Sequence, residues 1–344
     1  DVSYHGMLYH YATMPIPDHI REQHDVWYPR FYQNKRVNDA FIFRDRWIKH
    51  QYPARYWKTY SAQKCATYPR DSMNIVADFT GVSRSKIFRI EHHWCHAYYA
   101  YYTSPFKNKK AVVITVDGFG DGLNATVSLA EQGTLRRIYE TDICVLGRIY
   151  RHMTLLLGMK PLEHEYKLMG LAPYAKQTHA KKAYDVFSSI LSLKGMRFEW
   201  NQKPTDSYFY FQKKLEGIRF DCIASGLQSW VEDMLCRWVH NIVKETSVNT
   251  VTISGGVAMN VKAMGKIALL PSVKHLFVPG TSSDDSNCIG AAIGAALQIA
   301  PRKTQDFSIP TLYLGPQCTD GTRVIKKARR NKRIVIARKS SDSD

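Results

Sequence analysis

The segment AVVITVDGFGDG, residues 111–122, constrains the fold more than any other stretch of the chain. An apolar run ends at Asp117 and passes straight into Gly118, Gly120 and Gly122. That is the pattern of a buried strand delivering a carboxylate to a tight turn. The following residues, NATVSLAEQGTLRRIYETD, predict a hairpin with Gly133 at its turn. The unit is therefore strand–turn–strand. It excludes the strand–turn–helix unit with which a dinucleotide-binding fold begins.

Around this unit the pattern alternates between strands and helices. KIFRI (86–90) predicts a strand and residues 91–102 a helix. Residues 147–175 predict helix with glycine breaks, and 176–192 another helix. Ile223, Leu227, Val231, Met234, Leu235, Trp238 and Ile242 form one stripe of a long helix over 221–245, a core face rather than a cofactor box. TVTISGG (250–256) predicts a strand with a glycine turn, VAMNVKAMGKIAL a helix, HLFVPG (275–280) a strand, and residues 281–300 a polar loop before a small-residue helix. The stretch 198–218, aromatic and charged, reads as an insertion. Residues 1–70 have weak periodicity, broken by Pro15, Pro17, Pro29 and Pro53, and DSMNIVADFTGV from Asp71 predicts a short helix before Gly81. Together, residues 1–80 are expected to be an irregular or partly helical cover within lobe 1.

A chain of 344 residues with 44% hydrophobic content is expected to form two sizeable lobes around packed cores. No apolar run approaches the ~18–20 residues of a membrane span, and the N-terminus, which does not begin with Met, has no basic-then-apolar leader pattern. The seven cysteines are scattered without a CxxC pair, which points away from a disulfide framework and towards a reducing, cytoplasmic setting. Lys plus Arg total 48 against 30 Asp plus Glu, a net charge of +18. The excess favours polyanionic partners such as nucleotides, nucleic acid or phosphorylated small molecules, although a general solubility device or an acidic partner domain accounts for it equally well. Part of it lies in KKARRNKR (326–333), within a basic tail or linker at 321–344.

Four segments carry chemistry. In EHHWCHAYYAYY, His92 and His96 share a helix face, which is the geometry of a two-point metal clip, and His93 points elsewhere. Taken alone, the pair fits a wet or satisfied helix face as well as half of a metal site. VDGFGDG offers glycines that let a ligand approach the backbone, or simply a tight hairpin with an Asp cap. SGGVAMN (254–260) places Gly255 and Gly256 between strand and helix, where phosphate can meet helix N-terminal amides, or where strand and helix pack closely. In SSDDSN (282–287), Asp284 and Asp285 could close a metal site, or Asp285 could cap the next helix.

In order, these segments resemble the signatures of the nodulation-type O-carbamoyltransferases. EHHWCHAYYAYYTSPF resembles HHxxHAxxAxxxSPF, and VDGFGDG resembles VDGxGE with Asp121 in place of Glu. Residues 146–175, LGRIYRHMTLLLGMKPLEHEYKLMGLAPYA, are similar to LGxxYxxxTxxLGxxxxxxEYKxMGLAPYG. SGGVAMNVKAMGKI is similar to GGVAxNxxxNGxL with Met264 for Asn, and VPGTSSDDSNCIGAAIGAAL to P…DDGxxxGAAL with Ser286 for Gly. TLYLGP (311–316) completes the series, so the likeness covers roughly residues 80–320.

The resemblance implies an α/β fold of two actin/hexokinase-like lobes with mixed sheets. Residues 81–145 would form the metal- and phosphate-binding part of lobe 1, and 146–320 lobe 2. It implies ATP between the lobes, carbamoyl phosphate as the donor, and transfer of a carbamoyl group from carbamoyladenylate to a hydroxyl-bearing acceptor. It also implies a divalent metal, iron first and manganese or zinc as alternatives, held by His92, His96, Asp117 and Asp284. His93, Glu165 and Lys167 would act in catalysis. Gly118, Gly120, Gly122, Lys167, Gly170, Gly255, Gly256, Asn260 and Asp285 would contact the nucleotide. The family's opening HDxxAA hairpin has no match in residues 1–70, and its YrdC-like domain, which makes carbamoyladenylate, has no counterpart here. That domain is expected in a longer chain or as a partner. A more distant likeness is to the enzyme that transfers threonylcarbamoyl to tRNA, and a non-catalytic nucleotide-binding scaffold is the other alternative.

Overall fold

The computed structural model describes residues 2–5, 73–74, 76–77, 80–204, 207–300 and 306–309. The basic tail, the TLYLGP segment and most of the expected N-terminal cover lie outside these residues. Residues 1–308 form one compact unit, and 309–344 a second of which only Ile309 is described.

The chain is a mixed α/β protein built on one five-stranded sheet. β1 (Val2–His5) pairs in parallel with β2 (Ile87–Ile90) as a separate ribbon. After α1 (His92–Tyr102) come β3 (Ala111–Gly120), β4 (Leu123–Glu131) and β5 (Thr134–Thr141), an antiparallel meander. Five helices and a hairpin follow: α2 (Leu146–Leu156), α3 (Glu165–Leu171), α4 (Gln177–Ser188), the β6/β7 hairpin (Leu191–Lys194, Arg197–Trp200), α5 (Ser207–Lys214) and α6 (Phe220–Thr246). The chain then returns to the sheet through β8 (Thr250–Ser254), α7 (Val261–Ala268), β9 (His275–Phe277) and α8 (Asn287–Ile299). The order across the sheet is β5-β4-β3-β8-β9, with β3, β8 and β9 parallel.

β3 sits at the centre, and its residues from Ala111 to Asp117 are all buried. A strand covered on both faces needs apolar groups on both, which is why the run shows no polar alternation. The period of two still sorts the faces. Val112, Ile114 and Val116 join the large core with α2, α6 and α7, whereas Ala111 and Val113 pack with α1 and α8. Thr115 and Asp117 follow on the α1 side, and β8 presents Ser254 to the same side, level with Thr115.

The stretch 198–218, expected to be an insertion, contributes to the core. Phe211 is fully buried, its ring 5.1 Å from Phe187, which stacks on Trp230 at 5.8 Å. Its aromatic residues are core anchors for α4 and α6, a role that a charged composition hides. The stripe expected on α6 is buried throughout.

Candidate metal centre

The site lies at the carboxyl ends of β3 and β8, where open α/β sheets present ligand sites. α1 starts there because Glu91 caps it. The Glu91 carboxylate accepts the N–H groups of His93 and Trp94 and is clamped by Arg137 Nη2 at 2.6 Å. Burial works against that charge, but Arg137 outweighs it and holds the carboxyl below its usual range. Asp121, in a left-handed turn, accepts the backbone N–H of His92 at 2.9 Å and lies 3.4 Å from Arg89. The first turn of α1 is thereby fixed to the end of β3.

The helical spacing then places His92 and His96 on one face. Their Nε2 atoms are 3.2 Å apart, and both rings are fully buried. His92 Nε2 lies 3.2 Å from Asp117 Oδ2 and 3.4 Å from Asp284 Oδ1, and His96 Nε2 lies 3.3 Å from the same Asp284 oxygen. One donor atom from each of the four residues falls within 4.8 Å of every other. Asp284, about half exposed, stands on the single turn that precedes α8 and leaves the cluster open on that side.

This spacing fits a divalent cation. With metal–ligand bonds of about 2.1 Å, neighbouring donors stand about 3.0 Å apart around an octahedron and about 3.4 Å apart around a tetrahedron. Two imidazole nitrogens facing each other at 3.2 Å repel as lone pairs unless a proton or a cation lies between them. Burial opposes a charge on Asp117, yet the His92 hydrogen bond, the fields of His96 and His92 and the Gly256 amide outweigh it and keep the carboxyl far below its ordinary range. Burial likewise opposes a charge on His92, but Asp117, Asp284 and Asp121 together raise its pKa. The pocket favours positive charge among its carboxylates. The four residues whose role the resemblance implied are brought together.

The other expected site residues are distributed differently. His93 points away from the cluster. It is fully buried, with Nδ1 2.7 Å from Thr115 Oγ1, which in turn lies 2.7 Å from Thr126 Oγ1 across the β3/β4 pair. Burial, and next the charge of His92, push its pKa down to about 4. It is a neutral link between α1 and the sheet. Gly120 has a task that the sequence did not show: a Cβ built there would lie 2.1 Å from His92 Cδ2, so the glycine makes room for the His92 ring. The amide of Gly255 donates to Ser282 O, and that of Gly256 to Asp117 Oδ1 at 2.8 Å. Both are engaged within the protein, and Gly256 fixes the Asp117 carboxylate. Gly118, Gly122 and Gly170 have open space where a side chain would be.

Asn260 caps α7 and exchanges hydrogen bonds with Gln228, which also binds Tyr150 Oη and Glu232. Asp285 accepts from Ser283 Oγ and does not cap α8. Glu165 turns back to accept the N–H of Leu162, and Lys167 Nζ lies 3.0 Å from His164 Nε2, so these two side chains do not pair with each other. Burial raises the Glu165 pKa. Beyond the expected set, Asn287 and Ser254 face the outer nitrogens of His92 and His96, at 3.4 and 3.5 Å. The period of β8 could have pointed to Ser254. Asn287 had no signal beyond its place after the aspartates.

Comparison with known proteins gives a consistent picture. The chain is 29% identical over 251 residues to nodulation protein NolNO of Sinorhizobium fredii, covering 69% of this chain and 35% of that protein. Nodulation protein NolO of Bradyrhizobium diazoefficiens is 26% identical, with 66% and 42% covered. An uncharacterized protein of Methanocaldococcus jannaschii is 26% identical, with 71% and 43% covered. The chain thus spans less than half the length of these relatives. Among solved structures, full-length HypF in its phosphate- and nucleotide-bound form aligns at TM-score 0.37 and 14% identity, over 61% of this chain and 43% of that one. Among the described residues, no helix is long and apolar enough to cross a membrane. The sequence model described as "Carbamoyltransferase N-terminus" matches residues 33–297, and the chain belongs to that family.

Proposed function

We propose that this chain carries the transfer half of an O-carbamoyltransferase. In this reading the carbamoyl group passes from carbamoyladenylate, made from carbamoyl phosphate and ATP, to the hydroxyl of an acceptor. The acceptor oxygen forms the new carbamate C–O bond as the bond to the adenylate phosphate breaks; AMP leaves, and the hydroxyl proton passes to its phosphate or to solvent. The observation that carries the reading is the four-residue cluster inside the family's domain. His92, His96, Asp117 and Asp284 would hold a divalent cation, with iron(II) the first candidate and manganese(II) or zinc(II) the alternatives. Such a cation supplies a Lewis acid for the carbamoyl carbonyl or the adenylate phosphate.

The chain's own residues set the stage for that transfer. His92, His96 and Asp117 are buried, and the half-exposed Asp284 leaves the cluster open on its side. The uncrowded Gly118 and Gly122 leave the β3 turn accessible to a phosphate-bearing substrate. Lys167, which is exposed, would add positive charge for the nucleotide in this reading. The net charge of +18 favours a phosphate-bearing acceptor, a nucleotide or nucleic acid among them. Carbamoyladenylate synthesis is assigned to a YrdC-like domain or partner.

The test is elemental analysis of anaerobically purified protein, with His96→Ala and Asp284→Asn beside the wild type. One transition metal per chain, lost in both variants, is expected. The half-exposed Asp284 makes its substitution the milder for folding. Metal-free wild type after reconstitution with iron, manganese and zinc would remove the catalytic reading and leave a nucleotide-binding scaffold. With metal established, acceptor-dependent release of AMP is the activity to follow.

A further inference from the structure

Asn287 is fully buried at the first position of α8, yet nothing in the proposed reaction uses it. Its Nδ2 lies 3.4 Å from His92 Nδ1 and 3.3 Å from Asp284 Oδ1. Among the described residues, its buried Oδ1 has no hydrogen-bond partner. A buried carboxamide oxygen left unpaired is costly, so such a group normally has a partner in some state of the protein. His92 and Asp284 come from segments far apart in sequence, and Asn287 is the side chain that bridges them from behind.

The chemistry of a histidine ligand identifies that other state. His92 turns Nε2 towards the cluster, so binding a cation requires a lone pair on Nε2 and the ring proton on Nδ1. That N–H then needs an acceptor on the outer side of the ring. His96 already has one: Ser254 Oγ lies 3.5 Å from its Nδ1 and gives its own hydrogen to Ser282 O. For His92 the group in that place is the Asn287 carboxamide.

As it stands, the amide shows its NH2 group to the Asp284 carboxylate and to His92 Nδ1. That suits a centre in which His92 gives its Nε2 proton to Asp117. A half-turn about the Cβ–Cγ bond puts the oxygen against Nδ1, which suits a centre in which Nε2 and Asp284 both face a cation.

We infer that Asn287 is a positioning residue for the metal centre: its carboxamide oxygen holds the Nδ1–H of His92 and so sets the ring for coordination through Nε2. The inference rests on the metal reading of the cluster, and its effect is on affinity and geometry, with no contact to substrate.

The test compares Asn287→Leu, Asn287→Asp and wild type in the full chain. Dissociation constants for zinc(II) and manganese(II) are measured by competition with a chromophoric chelator, and the Tm of each metal-free protein is recorded. Leu keeps the volume and removes the acceptor, so metal affinity is expected to fall about 10- to 100-fold, the usual cost of losing an outer partner of a ligand. Asp keeps an acceptor and completes a carboxylate–histidine pair, so it is expected to bind metal at least as tightly as wild type, with a lower metal-free Tm from its repulsion with Asp284. Leu matching wild type in affinity, or Asp failing to the same extent as Leu, overturns the inference while wild-type binding keeps the metal reading intact. A wild type that takes up neither metal overturns both.

Discussion

Replacing Gly120 with alanine tests whether that glycine exists to seat a ligand ring. The added Cβ would stand 2.1 Å from His92 Cδ2, 2.2 Å from Cγ and 2.4 Å from Nε2. Ordinary contact begins at about 3.4 Å, so ring and turn must separate by roughly 1.3 Å. The ring cannot rotate away freely, because Asp117, His96, Asp284 and Asn287 surround it. A metal site tolerates ligand displacements of about 0.2 Å, several times less than this shift. We expect metal affinity to fall at least about 100-fold, more than the loss of an outer partner would produce. The overpacking should cost about 1–3 kcal/mol of stability. Isothermal titration of the metal-free protein with zinc(II) measures the first quantity and urea unfolding the second. Gly118→Ala is the control, since a Cβ there meets nothing within 4 Å. Gly120→Ala binding zinc as tightly as Gly118→Ala would refute the reasoning and return Gly120 to a role in substrate approach.

Two further predictions concern the frame around the site. Gly290→Ala would place a Cβ 1.9 Å from the Cys95 carbonyl oxygen, forcing α8 away from α1; overpacking should outweigh alanine's helix preference, with about 2 kcal/mol lost and Tm lower by about 5 °C in a thermal melt. His152, buried and with no partner for Nδ1 among the described residues, has its pKa pushed down to about 3 by burial and then by the charges of Arg151 and Arg148. On acidification the unfolded chain takes up that proton first, near pH 6.5, so the stabilising effect of the neutral ring is complete above that pH and is lost between 6.5 and about 3. Between pH 6.5 and 5 wild type should lose about 2 kcal/mol more than His152→Leu in urea unfolding, and parallel curves for the two proteins would contradict the assignment.

The parts of the site that the sequence displayed are those governed by local periodicity. Helical spacing put His92 and His96 on one face, and an apolar run ending at Asp117 marked the end of a central strand. The parts it hid are those decided by what lies across the fold. Gly255 and Gly256 resemble a phosphate cradle from their position between strand and helix, but their amides meet Ser282 O and Asp117 Oδ1. Glu165 and Lys167 are two residues apart on a helix, where side chains diverge rather than face each other. Phe211 sits in a charged stretch, and only Phe187 and Trp230, brought from two other helices, show it to be core.

The same distinction explains how four short motifs can describe one centre. Asp117 is held by the Gly256 amide, 139 residues away, and the outer face of His92 by Asn287, 195 residues away. His96 meets Ser254 across 158 residues. Asp117, His92 and His96 each have one polar atom turned to the cluster and another near a group of a distant segment, whereas Asp284 is bonded by Asn287 of its own segment. Such long-range closures are entropically costly to assemble. A cation that binds only the assembled cluster returns part of that cost, about 2.7 kcal/mol at a concentration one hundred times its dissociation constant. Folding and the creation of the centre are in this arrangement one event. The glycines at 120, 256 and 290 belong to that event because each permits one of the close approaches on which it depends.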